Sequence, residues 1–139
     1  MNNLNAYLIF NGNCRAAMEF YKKCLGGEIS TMSYSEVPGG CGDLSQEYQN
    51  WIIHARLTIK SLTLMASDTR PGMPVQAGNN FFVSLNCESI QEIEKLFKAL
   101  EEKGEVSMPL QETFFATRFG MLTDHFGIKW MLNLEKPKT

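Results

Sequence analysis

A four-residue echo constrains this chain more than any other feature of its sequence. Gly27-Glu28-Ile29-Ser30 recurs as Gly104-Glu105-Val106-Ser107, each just after a helical stretch, and Phe20 falls on Phe97 at the same offset. Around each copy the elements follow one order: strand, helix, strand, loop, two strands. Four letters alone would be a weak repeat, but the shared order of elements makes each half a βαβββ unit. A half this small cannot bury its sheet alone, so the 139 residues are expected to form two modules around a shared core, an α+β fold.

The first module is expected over residues 1–68. Residues 4–10 read as a strand, and Asn13 stands where a side chain can cap the following helix. In Cys14–Leu25 the stripe Ala16, Ala17, Phe20, Tyr21, Cys24 and Leu25 has helical spacing, and Gly26-Gly27 supplies the left-handed stop. A strand from Glu28 to about Tyr34 leads into a Gly- and Pro-containing loop, 35–50, long enough to serve as a lid. Trp51–Lys60 alternates clearly: Trp51, Ile53, Ala55, Leu57 and Ile59 on one face, Ile52, His54, Arg56 and Thr58 on the other. Leu62–Ser67 completes the module, and the Pro/Gly-rich stretch 69–79 reads as a linker.

The second module is expected over 80–139. Phe81–Cys87 is a strand, Ser89-Ile90-Gln91-Glu92 a capping box, and Ile90, Ile93, Leu96, Phe97 and Leu100 a helical stripe. After Gly104 come a strand and then a hairpin, in which Asp124-His125-Phe126-Gly127 turns between two arms rich in aromatic and long apolar residues.

A net charge of −2 offers no basic face for nucleic acid, and no apolar run approaches a membrane span. Nothing at the N-terminus resembles an export signal, so a cytoplasmic protein with reduced thiols is expected. Cys14, Cys24, Cys41 and Cys87 lack C-x-x-C spacing, which argues against a structural zinc site. Cys24 and Cys87 suit core packing, whereas Cys41 sits in the Gly-rich loop with nothing nearby in sequence to activate it.

Several stretches together resemble one family: Tyr7-Leu8-Ile9-Phe10-Asn11-Gly12-Asn13, Glu19-Phe20-Tyr21-Lys22-Lys23, His54-Ala55, Leu64-Met65-Ala66-Ser67-Asp68, Gly78-Asn79-Asn80, Met108-Pro109-Leu110, and Arg118 to Asp124 with Phe126-Gly127. They are similar to the PhnB-like branch of the vicinal oxygen chelate superfamily, which also holds glyoxalase I, bleomycin-resistance proteins and extradiol dioxygenases. The resemblance spans about residues 4–134. It implies a curved, incomplete eight-stranded barrel around a cavity, and a homodimer. Relatives sometimes carry a 3-demethylubiquinone methyltransferase label, yet no Gly-rich strand-end loop with a downstream acid is present here.

Enzymes of that superfamily hold a divalent metal through His, Glu or Asp on the first and last strands of each module. The resemblance puts those positions at Ala6, about Met65, Phe82 and Met131, none of which suits a hard cation. No metal and no other cofactor is therefore expected. Alternation from these positions gives a mixed cavity lined by Ala6, Leu8, Phe10, His54, Arg56, Thr58, Met65, Phe82, Ser84, Lys129 and Met131, with Asn86 and Asn133 on the same faces.

Two residues carry the chemistry. His54 reads as a general base or ligand donor, or else as a structural histidine. Arg56 reads as a clamp for a small anion, or else as half of an ion pair at the cavity mouth. Lys129 reads as a rim charge, and Phe114, Phe115 and Phe119 as core or a stacking wall. The expectation is a metal-free small-molecule binder. The alternatives are a proton-transfer enzyme using His54 and Arg56 on an anionic metabolite, and a structural or partner-binding protein.

Overall fold

The computed structural model describes residues 1–40 and 45–138. The chain divides into two compact units, Met1–Gln76 and Ala77–Thr139. In the first, β1 (Tyr7–Phe10), α1 (Cys14–Leu25), β2 (Glu28–Ser33), β3 (Ile52–Ile59) and β4 (Leu62–Asp68) form a four-stranded sheet in the order β1-β4-β3-β2. In the second, β5 (Val83–Asn86), α2 (Ile90–Leu100), β6 (Glu105–Gln111), β7 (Ala116–Thr123) and β8 (Lys129–Glu135) repeat the pattern as β5-β8-β7-β6. Each sheet is open and mixed: its first and last strands run parallel and the other pairs antiparallel. The fold is α+β, as the element order requires.

The echo occupies equivalent places in the two sheets. Glu28 pairs with Thr58 and Ile29 with Leu57; Glu105 pairs with Thr123 and Val106 with Leu122. The preceding glycine has one job in both units. A Cβ on Gly27 would strike the Thr58 carbonyl oxygen, and one on Gly104 the Thr123 carbonyl oxygen. The chain leaving each helix therefore has to cross its neighbour's backbone closely, which only glycine allows.

Each helix covers one face of its own sheet. On α1 the buried residues are Cys14, Ala17, Met18, Tyr21 and Cys24. The stripe is rotated from the expected one: Ala16 is exposed, and Cys14 and Met18 take the inner positions. Beneath it lie Leu8, Phe10, Ile52, Ala55, Leu57, Leu64 and Ala66. On α2, Ile93, Phe97 and Leu100 are buried, with Phe97 directly over Gly120. Ile90, expected in the stripe, is largely exposed. Ser89 Oγ caps α2 by accepting the Glu92 N–H at 3.0 Å, while the Glu92 carboxylate accepts the N–H of Glu88.

The cap of α1 is different from expectation. The Asn13 side chain makes no capping bond. Asp68, at the end of β4, does that work from a distance in sequence. Its Oδ1 accepts the N–H groups of Gly12 (2.8 Å) and Cys14 (2.9 Å), and its Oδ2 accepts that of Ile52 (2.8 Å). One buried carboxylate thus joins the β1–α1 turn, the helix N-terminus and the start of β3, where the helix dipole also favours negative charge. Asp124 plays a related part in the second unit. Its Oδ1 accepts Phe126 N–H (2.7 Å) and Ile128 N–H (3.1 Å), shaping the hairpin turn, and its Oδ2 accepts the indole N–H of fully buried Trp130 (2.8 Å).

Replacing Asp68 tests this tie. Asp68→Ala leaves three donors without an acceptor and is expected to cost roughly 3 kcal/mol or more in urea unfolding. Asp68→Asn, which keeps one acceptor oxygen, should cost less. A loss within about 0.5 kcal/mol for the alanine variant would contradict the assignment.

Candidate functional site

The face of the first sheet away from α1 carries the unit's polar chemistry. Register fixes it: Tyr7 pairs with Met65, Met65 with Arg56 and Arg56 with Ser30, so these four side chains form one row. His54 pairs with Met32 on the same face, one step along. Tyr7 Oη lies 3.1 Å from His54 Nδ1, with the rings tilted at 35° and centroids 5.7 Å apart. Arg56 is exposed, and its Nη2 donates to the Met65 sulfur at 3.8 Å. Among the described residues a surface ion pair joins Lys136 and Glu112, and no carboxylate pairs with Arg56.

This arrangement corrects the sequence reading of β1. Leu8 and Phe10 were expected in the cavity, but both are 3% exposed and face the helix-side core, while Tyr7 and Ile9 are over 40% exposed on the opposite face. The parity slipped by one residue because the reading was anchored on Ala6, which lies before the strand and contributes its carbonyl to the Met65 N–H. Tyr7 was consequently missed. The available signal was that Tyr7 has a polar tip while Leu8 and Phe10 are wholly apolar. On β3 the alternation holds for His54, Arg56 and Thr58 but breaks at Ile53, where the β2–β3 register shifts. That bulge turns Ile52, not Ile53, into the core.

In the second unit, the face away from α2 carries Ser84, Asn86, Phe119, Met121, Lys129, Met131 and Asn133. Ser84 pairs with Met131 and Asn86 with Asn133, and across β7 Met121 pairs with Met131 and Phe119 with Asn133. Lys129 Nζ donates to Thr123 Oγ1 at 3.4 Å and is half-buried, so it is not a free rim charge. Phe82 lies outside β5 and is 36% exposed. Phe114 and Phe115 are not core: they are 92% and 48% exposed in the turn before β7, edge to face with each other. Tyr7, His54, Arg56, Thr58 and Met65 thus come together on one sheet, and Ser84, Lys129 and Met131 on the other; Ala6, Leu8, Phe10 and Phe82 join neither group.

Two tandem βαβββ units, each with a helix on one sheet face and a mixed polar and thioether surface on the other, define a class of protein. Residues 3–132 match the Glyoxalase/Bleomycin resistance protein/Dioxygenase superfamily, and the chain belongs to it. Protein YjdN of Escherichia coli (strain K12) is 34% identical over 142 residues, covering 96% of this chain and 95% of that protein. The crystal structure of PA1353 from Pseudomonas aeruginosa is 43% identical, with a TM-score of 0.86 over 99% of this chain and 100% of that one. A Bacillus cereus PhnB protein, described as a putative 3-demethylubiquinone-9 3-methyltransferase, is 28% identical, with a TM-score of 0.77 over 96% and 99% of the two chains.

The divalent metal of the superfamily's enzymes can be tested against the residues present. Since the two registers correspond, the equivalent positions are Tyr7 and Met65 in one unit and Ser84 and Met131 in the other. Ala6 and Phe82 lie beyond the strands. A phenol already bonded to His54, an aliphatic hydroxyl and two soft thioethers do not fit a hard divalent cation. Among the described residues, no three of His, Cys, Asp and Glu come together.

The buried thiols offer no nucleophile. Burial, then the Asp68 charge, pushes the Cys14 thiol from 9.0 to about 12 against the opposing pull of Arg15; burial, then Glu92, pushes Cys87 to about 11. Cys24 is also buried, and Cys41 lies outside the described residues. In a Cys41→Ser background, native protein at neutral pH should leave Ellman's reagent almost unreacted, with three thiols appearing only on unfolding. Above pH 9.0 the unfolded chain releases these protons while the folded chain keeps them to about 11 or 12, so stability falls with rising pH across that window. Cys14→Ala should flatten that fall, and an unchanged slope would contradict the assignment.

Proposed function

We propose that the protein is a PhnB-like binder of a small organic anion, holding no structural or catalytic divalent metal and working as a cytoplasmic homodimer. The observation that carries this reading is Arg56: a guanidinium on an exposed sheet face whose hydrogen-bond partner among the described residues is a thioether and not a carboxylate. Such a group is ready for bidentate pairing with a carboxylate or phosphate oxygen pair. Ser30, Thr58 and the Tyr7–His54 pair supply neighbouring hydrogen-bonding groups, and Met65, Met32 and Ile9 supply apolar contact for the rest of the molecule. The thioether, phenol and hydroxyl donors argue against chelation. The exposed Phe114 and Phe115 give a second copy an apolar patch to cover.

A second reading rests on the 3.1 Å contact between Tyr7 Oη and His54 Nδ1. A histidine hydrogen-bonded to a phenol, beside an arginine that orients an anion, is placed to move a proton on the bound molecule. On that reading His54→Ala abolishes turnover while leaving binding largely intact.

Thermal shift with a panel of small carboxylates, phosphonates and phosphate esters separates these outcomes. A bound anion should raise the melting midpoint, since it binds the native state alone. Arg56→Ala should weaken that binding about tenfold or more, while the unliganded midpoint stays near that of the parent. Protein purified without added metal should carry only traces of divalent ions. Stoichiometric, tightly held metal, or anion shifts that survive in Arg56→Ala, would overturn the reading, and a single-chain mass by light scattering would overturn the dimer.

A further inference from the structure

The row Tyr7, Met65, Arg56 and Ser30 sets a thioether against a cation. Met65 Sδ accepts a hydrogen bond from Arg56 Nη2 at 3.8 Å, and the contact is open to solvent. Among the described residues, Met65 is the one methionine with a hydrogen bond to its sulfur. Met32 and Met73 are more exposed than Met65 and lack such a bond, while Met18 is fully buried. A thioether sulfur has two lone pairs. One meets the Arg56 N–H, and the other is left for an incoming reagent.

The reagent that a thioether meets is a hydroperoxide. Sulfur attacks the nearer peroxide oxygen, and the S–O bond forms as the O–O bond breaks. The proton on that oxygen passes to the departing hydroxide. Sulfur is oxidised by two electrons, the peroxide is reduced, and the products are a sulfoxide and water. Negative charge develops on the departing oxygen, and Arg56 holds cationic N–H donors beside the sulfur to receive it. The guanidinium then gains a better acceptor. A sulfoxide oxygen fits between sulfur and nitrogen at an ordinary N–H···O length of about 2.9 Å, whereas the thioether is a weak acceptor.

We infer that Met65 is an oxidation site promoted by Arg56, and that its sulfoxide occupies the guanidinium and so weakens anion capture. The second half rests on the anion reading of Arg56; the modification itself does not. Oxidation also turns an apolar side chain into a polar one, which removes apolar contact from the same face. Methionine sulfoxide reductase reverses the change, so the face is switched off by peroxide and on again by reduction.

Timed treatment of the full chain with hydrogen peroxide, in the Cys41→Ser background and followed by peptide mass mapping, tests this. Met65 should oxidise at least as fast as Met73, although Met73 is the more exposed. Met18 should stay reduced, which reports an intact fold. Arg56→Ala should slow Met65 about fivefold or more and leave Met73 unchanged. Arg56→Gln makes the same comparison if Met18 becomes reactive in the alanine variant. Slower oxidation of Met65 than of Met73, or a Met65 rate indifferent to loss of the guanidinium in folded protein, would overturn the site. Benzoate should then bind the oxidised parent about fivefold or more weakly than the untreated one, and recover after methionine sulfoxide reductase. Met65→Leu, whatever its own affinity, should bind benzoate equally before and after peroxide. Undiminished binding by protein oxidised at Met65, or a loss that persists in Met65→Leu, would overturn the switch. Failure of benzoate to bind untreated protein would overturn the anion reading and the switch with it, while the map of Met65 still decides the modification.

Discussion

The first unit depends on one buried carboxylate. Asp68 gathers three backbone N–H groups from the β1–α1 turn, the start of α1 and the start of β3. Without it, α1 would begin with uncapped donors in a buried place, because Asn13 makes no cap. The same bonds fix the end of β4 against its neighbours, and so hold the register that brings Tyr7, Met65 and Arg56 into one row. The site face is thus a by-product of core architecture: with α1 covering Leu8, Ala55, Leu57 and Ala66, strict alternation leaves their neighbours on the opposite face.

The second unit reaches the same topology by other means. Asp124 ties the hairpin turn to the indole of Trp130, and Ser89 caps α2 locally. What the units share is the glycine after each helix and the register around it. What they do not share is the chemistry of the open face. A repeat conserves the contacts needed to pack helix on sheet, while the face away from the helix is free to differ. Arg56 corresponds to Met121 and His54 to Phe119, so the guanidinium and the imidazole belong to the first unit, and the second unit's open face has Lys129 instead.

Much of the fold was legible because helix and strand periods are strong where one face is buried. The βαβββ order, the echo, the capping serine of α2 and the Asp124 turn all follow from local residue chemistry. The misplacements have physical causes too. The cap of α1 comes from Asp68, distant in sequence, which no local pattern encodes. The bulge at Ile53 breaks alternation without a glycine or proline to announce it. On β1 a short strand gave too few alternating positions to fix parity, so Leu8 and Phe10 were set on the wrong face and Tyr7 was overlooked. Of the site, His54, Arg56, Thr58 and Met65 were legible from β3 and β4, whereas the Tyr7–His54 contact depends on strand pairing.

The central claim is that the face of the first sheet away from α1, through Arg56, receives a small anion. Backbone amide NMR during titration with benzoate tests it most directly. The account predicts saturable shifts clustered at Ser30, Arg56, Met65 and Tyr7, with α1 and the outer face of α2 unmoved. Shifts confined to the helices, or no saturable shift for benzoate or for a phosphonate of similar size, would contradict it.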